Sequence, residues 1–338
     1  MDASLPVTTL RPRRPLRDWL SRNRRALSAL AILVVLWAIF LIIAPGTFTN
    51  PQSYSAVFTT LPVSIILVVP LVFIVAAGET DLSFPSTFGL ASFAFAKVVE
   101  AGQSPVLGLA AGLVMGALAG FVNGLLVTRA KLSSLVSTLG MNFLIRGLIN
   151  MLTQGISTPL TFLNDTPFYQ VFAGQVFGND GGGGIPTSVF WGLLVVLIGF
   201  LLFNLHQFGA HACIVGDNPE SAREMGIDVA AVKTRAYMFV GICAALAGII
   251  SSLLNSTFWP TAGDGYLLPT LAAVFIGGTP TWGGVGTIVG AALGAITVGF
   301  LETGLIGAGL TAFYTQFAYG MVIILSLLGH RFNQSRYR

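Results

Sequence analysis

The segment NLHQFGAHACIVGDNPESAREMGIDVAAVKTR, residues 204–235, separates two long apolar runs and carries charges of both signs. A short helix with both ends marked is predicted inside it. Asn218 is a favoured N-cap residue, and Pro219 suits the first helical position. Gly226 favours the left-handed turn that ends many helices. About seven residues remain for the helix, too few to be stable alone in water.

One side of this short helix is predicted to dock onto a partner. Ala222 and Met225 lie three residues apart and are expected to share a small apolar face. Glu220 favours the positive end of the helix dipole. The residues predicted to make the partner contact are Asn218, Pro219, Glu220, Ala222, Arg223, Met225 and Gly226. An ordered loop that packs only on its own chain is the alternative.

The composition is that of a membrane protein. The chain is 54% hydrophobic and only 9% charged, whereas soluble domains carry about 25% charged residues. The net charge of +4 does not indicate nucleic-acid binding, because seven of the 17 Lys and Arg residues lie between Arg11 and Arg25. They directly precede the first apolar run, as in a membrane helix whose positive flank faces the cytoplasm. That run, 27–44, favours an uncleaved anchor over a signal peptide, since it is long and lacks an A-x-A site.

The apolar runs predict an all-α, polytopic helical bundle of about ten transmembrane segments with both termini cytoplasmic. Residues 1–25 form a basic cytoplasmic segment, 26–329 the membrane domain and 330–338 a basic cytoplasmic tail. The predicted spans are 26–44, 57–78, 84–100, 105–128, 134–154, 188–206, 235–255, 266–279, 284–303 and 311–329. The third and eighth are short and interrupted by Pro or Gly, so each is either re-entrant or spanning.

The positions of the basic residues support this count. With ten spans and a cytoplasmic N-terminus, most basic residues between and after the spans lie on the cytoplasmic side, namely Arg129, Lys131, Arg223, Lys233, Arg235, Arg331, Arg336 and Arg338. The loop 207–234 is then cytoplasmic, and the loop 155–187, without Lys or Arg, is extracytoplasmic. Lys97 is the exception. The outer loop includes Gly181–Gly184, so it is expected to be mobile, either as a plain connector or as a contact for an outer partner.

Two rows of glycines predict close helix packing. Gly108, Gly112, Gly116 and Gly120 recur every four residues, and Gly286, Gly290 and Gly294 repeat the pattern. Small residues at this spacing let helix backbones approach each other closely. Packing within one bundle is the simpler interpretation, and a dimer seam is the alternative.

Polar side chains inside apolar spans are candidates for a solute pathway, because they are costly in lipid. The six candidates are Glu79, Asp81, Ser83, Asn123, Asn142 and Arg146. Asp81 and Ser83 would equally serve as an N-cap for the helix opened by Pro85. Arg146 either binds solute or pairs internally with an acid, and Glu302 is a further intramembrane acid.

Catalytic and metal-binding patterns are absent from the sequence. There is no Gly-Lys dipeptide and hence no phosphate-binding P-loop, no H-E-x-x-H and no G-x-S-x-G. The three histidines and the two cysteines, Cys213 and Cys243, have no metal-ligand spacing. The chain is therefore predicted to be a non-catalytic subunit without its own cofactor, and any ATP would be used by another chain.

Several ordered motifs resemble the permease subunits of bacterial ABC importers for ribose, xylose and related sugars. ETDLSFPS (79–86) is similar to the family's Gly-Ile-Asp-Leu-Ser-Val-Gly-Ser stretch, and STLGMNFLIRGL (137–148) to its Thr-Leu-Gly…Arg-Gly segment. GFVNGLLV (120–127) precedes the latter as in the family. GDNPESAREMGIDVAAVK (216–233) resembles the cytoplasmic loop whose helix docks on the ATPase, and LAAVFIGGTPTWGGVGTIVGAALGA (271–295) the late Gly-rich signature.

The resemblance covers about residues 50–328 and implies a transport assembly in the bacterial cytoplasmic membrane. The implied partners are two ATP-binding subunits, a second permease copy that forms a homodimer with the first, an extracytoplasmic solute-binding protein and membrane lipid. The implied mechanism is alternating access for a sugar or polyol. Glu79 and Pro85 stand where the family often has glycines, so the sequence departs from the family at a place that bears on solute binding or gating. No residue distinguishes aldoses, polyols, nucleosides or a signalling furanone.

Two other functions are open on the sequence alone. A self-sufficient proton-coupled transporter would use Glu79, Asp81 or Glu302 as proton carriers, but it gives the capped helix no role. A membrane enzyme is disfavoured by the missing catalytic patterns.

Overall fold

The computed structural model describes residues 23–176 and 184–335. Most of the basic segment 1–25, the glycines 181–183 and the end of the basic tail therefore lie outside the described residues. The helices in chain order are α1 (Arg24–Ile43), α2 (Pro45–Phe48), α3 (Pro51–Ala76), α4 (Phe84–Glu100), α5 (Pro105–Thr128), α6 (Ser134–Thr153), α7 (Pro167–Ala173), α8 (Ser188–Asn204), α9 (Gln207–Asp217), α10 (Pro219–Glu224), α11 (Val229–Leu254), α12 (Leu267–Ile276), α13 (Ile288–Gly307) and α14 (Ala312–Ser335).

Short strands and 3₁₀ turns join the helices on one side of the bundle. The strands are β1 (Thr158–Pro159), β2 (Gln175–Val176), β3 (Ile185–Pro186) and β4 (Thr257–Phe258), and the 3₁₀ turns are Thr161–Leu163 and Asp264–Tyr266. β1 pairs antiparallel with β4, and β2 with β3.

The centre of the bundle is formed by α3, α4 and α11. From Ile66 to Ala76 every residue of α3 is buried, as expected of a helix that is apolar around its whole circumference. Most residues of α4 and α11 are also buried. The other long helices surround these three, so the polar residues that the centre carries must find partners inside the protein.

The glycine row on α5 packs against α4 and α11 within this one bundle, as the simpler interpretation predicts. An added Cβ at Gly116 would meet the carbonyl oxygen of Gly241, and a Cβ at Gly241 would meet the carbonyl oxygen of Gly116. Gly120 faces the Tyr237 carbonyl in the same way. The second row acts similarly, since a Cβ at Gly294 would meet the Ala273 carbonyl of α12.

Each of the ten predicted spans contains a helix, but not every helix is long enough to cross a membrane. Among the described residues, six helices are sufficiently long and apolar, and the bent pair α8–α9, with an angle of 65° between its halves, makes up to seven. α12 has 10 residues, which is about 15 Å of helix against a hydrocarbon layer of about 30 Å. The fold is therefore an all-α membrane bundle.

Helix α11 begins earlier than the span that hydropathy predicts for this part of the chain. The predicted span begins at residue 235, whereas the helix begins at Val229 with Asp228 as its N-cap. Lys233, Thr234 and Arg235 are polar and resemble a loop, but they lie inside the first turns of the helix.

The described part of the outer loop 155–187 is ordered, whereas Gly181–Gly183, on which the expectation of mobility rests, lie outside the described residues. It contains α7, and β1 ties it to the segment after α11. Phe172 stacks on Trp191 and contacts Phe168, which in turn stacks on Phe95 of α4. Aromatic packing onto the helices therefore fixes this loop.

Candidate functional site

The short helix predicted from its caps is α10. The Asn218 side chain accepts hydrogen bonds from the backbone N–H groups of Glu220 and Ser221, at 2.9 and 3.1 Å. Pro219 occupies the first position, and Gly226 has a φ of +79° after the last turn. The local prediction of a capped helix is confirmed, with six helical residues.

The predicted docking face of α10 is wrong in one residue. Ala222 is fully buried and packs within its own chain against a small cluster that includes Ala77, Val215 and Val232. Met225 is 66% exposed, so the two residues do not present one face outward. Ala222 instead attaches α10 to the bundle and leaves Met225 accessible.

Glycine contacts connect the region around α10 to the ends of other helices. Gly216, two residues before Asn218, approaches Ala76 at the end of α3 so closely that a Cβ would collide with its carbonyl oxygen. The backbone N–H of Gly284 donates a 2.9 Å hydrogen bond to the same carbonyl. Gly284 belongs to the loop between α12 and α13. A displacement of α9 and α10 therefore acts directly on the end of α3 and on this loop.

The break between α3 and α4, residues 77–83, is a non-helical segment that is held by side chains of other helices. The Thr80 N–H donates to the Ser134 hydroxyl at 3.3 Å, and the Leu82 N–H donates to the Thr138 hydroxyl at 3.0 Å. The Tyr237 hydroxyl donates to the Thr80 carbonyl at 3.1 Å. These bonds replace the helical bonds that the broken backbone lacks, as an interior position requires.

Glu79 is neutralised within the chain. Its carboxylate forms an ion pair with Lys233 of α11, and both side chains are largely buried, with 14% and 15% exposure. The pair joins the break 77–83 to the first turns of α11, the helix that follows α10.

Asp81, Ser83 and Asn123 form a buried chain of hydrogen bonds. Asp81 accepts from the backbone and the hydroxyl of Ser83, each at 2.7 Å, and Asn123 donates to the Ser83 hydroxyl at 2.6 Å. Ser83 precedes α4, but its side chain makes no capping bond. The predicted cap is therefore wrong for the Ser83 hydroxyl. The side-chain amide oxygen (Oδ1) of Asn123 has no hydrogen-bond partner among the described residues.

Arg146 fastens a loop onto the bundle. Its guanidinium forms an ion pair with Asp264 at 2.5 Å and donates to the carbonyls of Ala262, Pro260 and Pro85. It is 13% exposed, whereas Asp264 is 55% exposed. Asn142 lies one turn earlier on the same helix. Its buried side-chain amide oxygen (Oδ1) has no hydrogen-bond partner in the described part of the chain.

Sequence reasoning missed several partners in these networks. Asp264, Ser134, Thr138 and Tyr237 come from loops and helix faces far away in the sequence, and no local pattern marks them. Glu302 accepts a 3.0 Å hydrogen bond from the Tyr319 hydroxyl of the next helix. Within the described ranges, no group of three or more His, Cys, Asp or Glu residues is arranged to hold a metal ion.

Comparison with known proteins agrees with a transport subunit. The model of a family described as "Branched-chain amino acid transport system / permease component" matches residues 53–327. The chain belongs to this permease family. The permease is an integral protein of the inner membrane and serves as the permease subunit of an ABC importer.

The curated relatives are similar over nearly their whole length. The ribose import permease protein RbsC of Escherichia coli K12 is 32% identical, over 92% of this chain and 94% of its own. The inner membrane ABC transporter permease protein YjfF of the same strain is 30% identical, over 90% and 91%. The D-allose transport system permease protein AlsC of Escherichia coli K12 is 29% identical, over 88% of each chain.

Proposed function

We propose that this permease imports a sugar or sugar-like polyol by alternating access, powered by ATP hydrolysis on a separate subunit. Relatives named for ribose and for D-allose support the solute class. The permease itself binds no ATP and catalyses no reaction in this proposal. It converts movement of the ATPase into a switch of the solute pathway between an outward-open and an inward-open state.

The proposed assembly contains two permease copies, two ATP-binding subunits beneath them and an extracytoplasmic solute-binding protein. Ten segments place both termini in the cytoplasm, with residues 207–234 facing the ATPase and residues 155–187 facing outward. The absence of Lys and Arg from 155–187 supports this orientation. The basic segments 1–25 and 330–338 would then lie on the cytoplasmic side of the membrane domain 26–329.

The observation that carries the coupling role is the way α10 is held. Its buried residue Ala222 attaches it to the bundle, and Met225, the exposed residue directly after it, is free to enter a groove on another protein. A push on Met225 would move α10 together with α9, and Gly216 would pass that movement to Ala76 at the end of α3. The adjacent break 77–83 is the place where the helices can rearrange without losing helical hydrogen bonds.

The solute pathway is proposed to run beside this break. Asp81, Ser83 and Asn123 are hydrogen-bonded to one another in the state described here, and their separation would offer hydroxyl, amide and carboxylate groups to a sugar. Glu79, Asn142 and Arg146 are the other proposed pathway residues. For Glu79 and Arg146 the ion pairs with Lys233 and Asp264 favour a role in opening the pathway over direct solute contact.

Reconstituted transport tests the proposed function. The permease is placed in proteoliposomes together with its co-purified ATP-binding subunit and binding protein, and uptake of labelled ribose, allose and inositol is measured with and without ATP. ATP-dependent uptake of at least one of them is expected. Uptake by the permease alone under a proton gradient, or no uptake of any polyhydroxylated solute, would contradict the proposal.

A further inference from the structure

A groove of about 770 Å³ opens between α1, α13, α14 and the loop that joins α12 to α13. Its wall on α1 is formed by Arg24, Arg25, Ser28, Ile32 and Leu36. Apart from Arg25 these residues recur every four positions, so they lie along one face of the helix. The groove therefore follows α1 from its first turn into the membrane.

The two ends of the groove differ in polarity. Arg24 and Arg25 lie at one end together with Asp217, the last residue of α9, so this end is on the same side of the protein as α10. The two arginines and the single aspartate leave one net positive charge. Further along, the walls are mostly apolar, with Leu301 of α13 and Val322 of α14, and they include Thr297.

The length of the groove matches one leaflet of a bilayer. From Arg24 to Leu36 the helix advances 12 residues, or about 18 Å at about 1.5 Å per residue. Half of the hydrocarbon layer is about 15 Å. A positive mouth above an apolar channel of this depth is complementary to a phosphate group followed by an acyl chain.

We propose that the groove binds an anionic phospholipid from the leaflet on the α10 side. Its phosphate lies near Arg24 and Arg25, and an acyl chain runs along the apolar wall, in the manner of basic pockets between membrane helices. The groove also contains Gly283 and Gly284 of the loop that contacts Ala76. The bound lipid thus supports the same loop that lies behind the coupling helix. This inference does not depend on which solute is carried.

Lipid binding to the full-length permease tests the charged mouth. Delipidated protein is titrated with phosphatidylglycerol or phosphatidylcholine, and native mass spectrometry counts the bound lipids. Wild type is expected to prefer phosphatidylglycerol. Arg25→Gln should weaken phosphatidylglycerol binding about fivefold, because one basic residue near the headgroup is lost, and should leave phosphatidylcholine unchanged. Arg129→Gln, at an exposed position outside the groove, is the matched control and should behave as wild type.

A second pair of variants tests the apolar channel. Val322→Trp narrows the groove and should lower the occupancy of both lipids, whereas Ile324→Trp, on the same helix but outside the groove, should not. Equal affinity of wild type for the two lipids would overturn the proposal. It would also be overturned if Val322→Trp left phosphatidylglycerol binding unchanged, which is the result expected when residues 1–22 or a second permease copy fill the groove.

Discussion

At the scale of single residues, the sequence identifies the polar groups but not their partners. Glu79 and Arg146 stand out because charges are rare in apolar segments. Their partners are Lys233, 154 positions from Glu79, and Asp264, which lies in a loop. The orientation of Ala222 was equally hidden, since a six-residue helix with one alanine and polar neighbours has no clear apolar face. Partners of this kind depend on tertiary packing, which no local pattern records.

Removing Lys233 tests the buried ion pair. Lys233→Met leaves Glu79 as an unpaired carboxylate with 14% exposure, and loss of one partner of a buried pair costs about 3–5 kcal/mol. A large drop in the thermal unfolding temperature in detergent is expected. Lys97→Met is the control, because the Lys97–Glu100 pair is 44% and 48% exposed and such pairs contribute about 0–1 kcal/mol. Equal effects of the two substitutions would contradict the structural role of the pair.

Replacement of Arg146 tests whether its side chain stabilises the fold or binds the solute. Arg146→Ala removes the donor for three carbonyl groups and the partner of Asp264, so a lower unfolding temperature is expected together with weaker transport. Asp264→Asn keeps the three carbonyl bonds and should destabilise the protein less. Normal thermal stability of Arg146→Ala, with only the KM for solute raised, would show instead that Arg146 binds the solute.

At the scale of elements, hydropathy and cap residues predict most helix positions. The predicted span 105–128 coincides with α5, and the caps of α10 were identified because Asn218, Pro219 and Gly226 act through local backbone geometry. The start of α11 was missed because its first turns carry the charged residues Lys233 and Arg235, of which Lys233 pairs with Glu79 inside the protein. The order in the described part of the outer loop has no local signal in the sequence, because it comes from aromatic contacts with distant helices.

The close packing of α5 against α11 gives a prediction at this scale. A methyl group at Gly120 would contact the Tyr237 carbonyl and the Met238 Cα, so Gly120→Ala should destabilise the fold by about 1–3 kcal/mol. Gly140→Ala on α6 is the matched control, since no atom lies within 4 Å of its added Cβ. Thermal unfolding of both variants measures the difference. If Gly120→Ala were as stable as Gly140→Ala, the packing of these two helices would have to be looser than described.

At the scale of the whole molecule, the sequence predicts a helical membrane bundle whose coupling helix lies between α9 and α11. The glycine contacts explain how that helix is connected to the rest: α10 is attached through Ala222, and Gly216, Ala76 and Gly284 meet behind it. The number of crossings depends on how far α4, the bent pair α8–α9, α12 and α14 extend into the bilayer. Their lengths follow from packing against neighbours and not from hydropathy, so composition alone does not determine them.

Crosslinking from α10 in native membranes tests the central claim most directly. Met225→Cys is reacted with a short bifunctional thiol–amine reagent, and the trapped chains are identified by mass. The exposed position of Met225 predicts a crosslink to an ATP-binding subunit, while wild type, Ala222→Cys at the buried position and Phe162→Cys in the outer loop should give none. If Met225→Cys is labelled by the reagent and yet recovered without an ATP-binding subunit, α10 does not couple this permease to an ATPase.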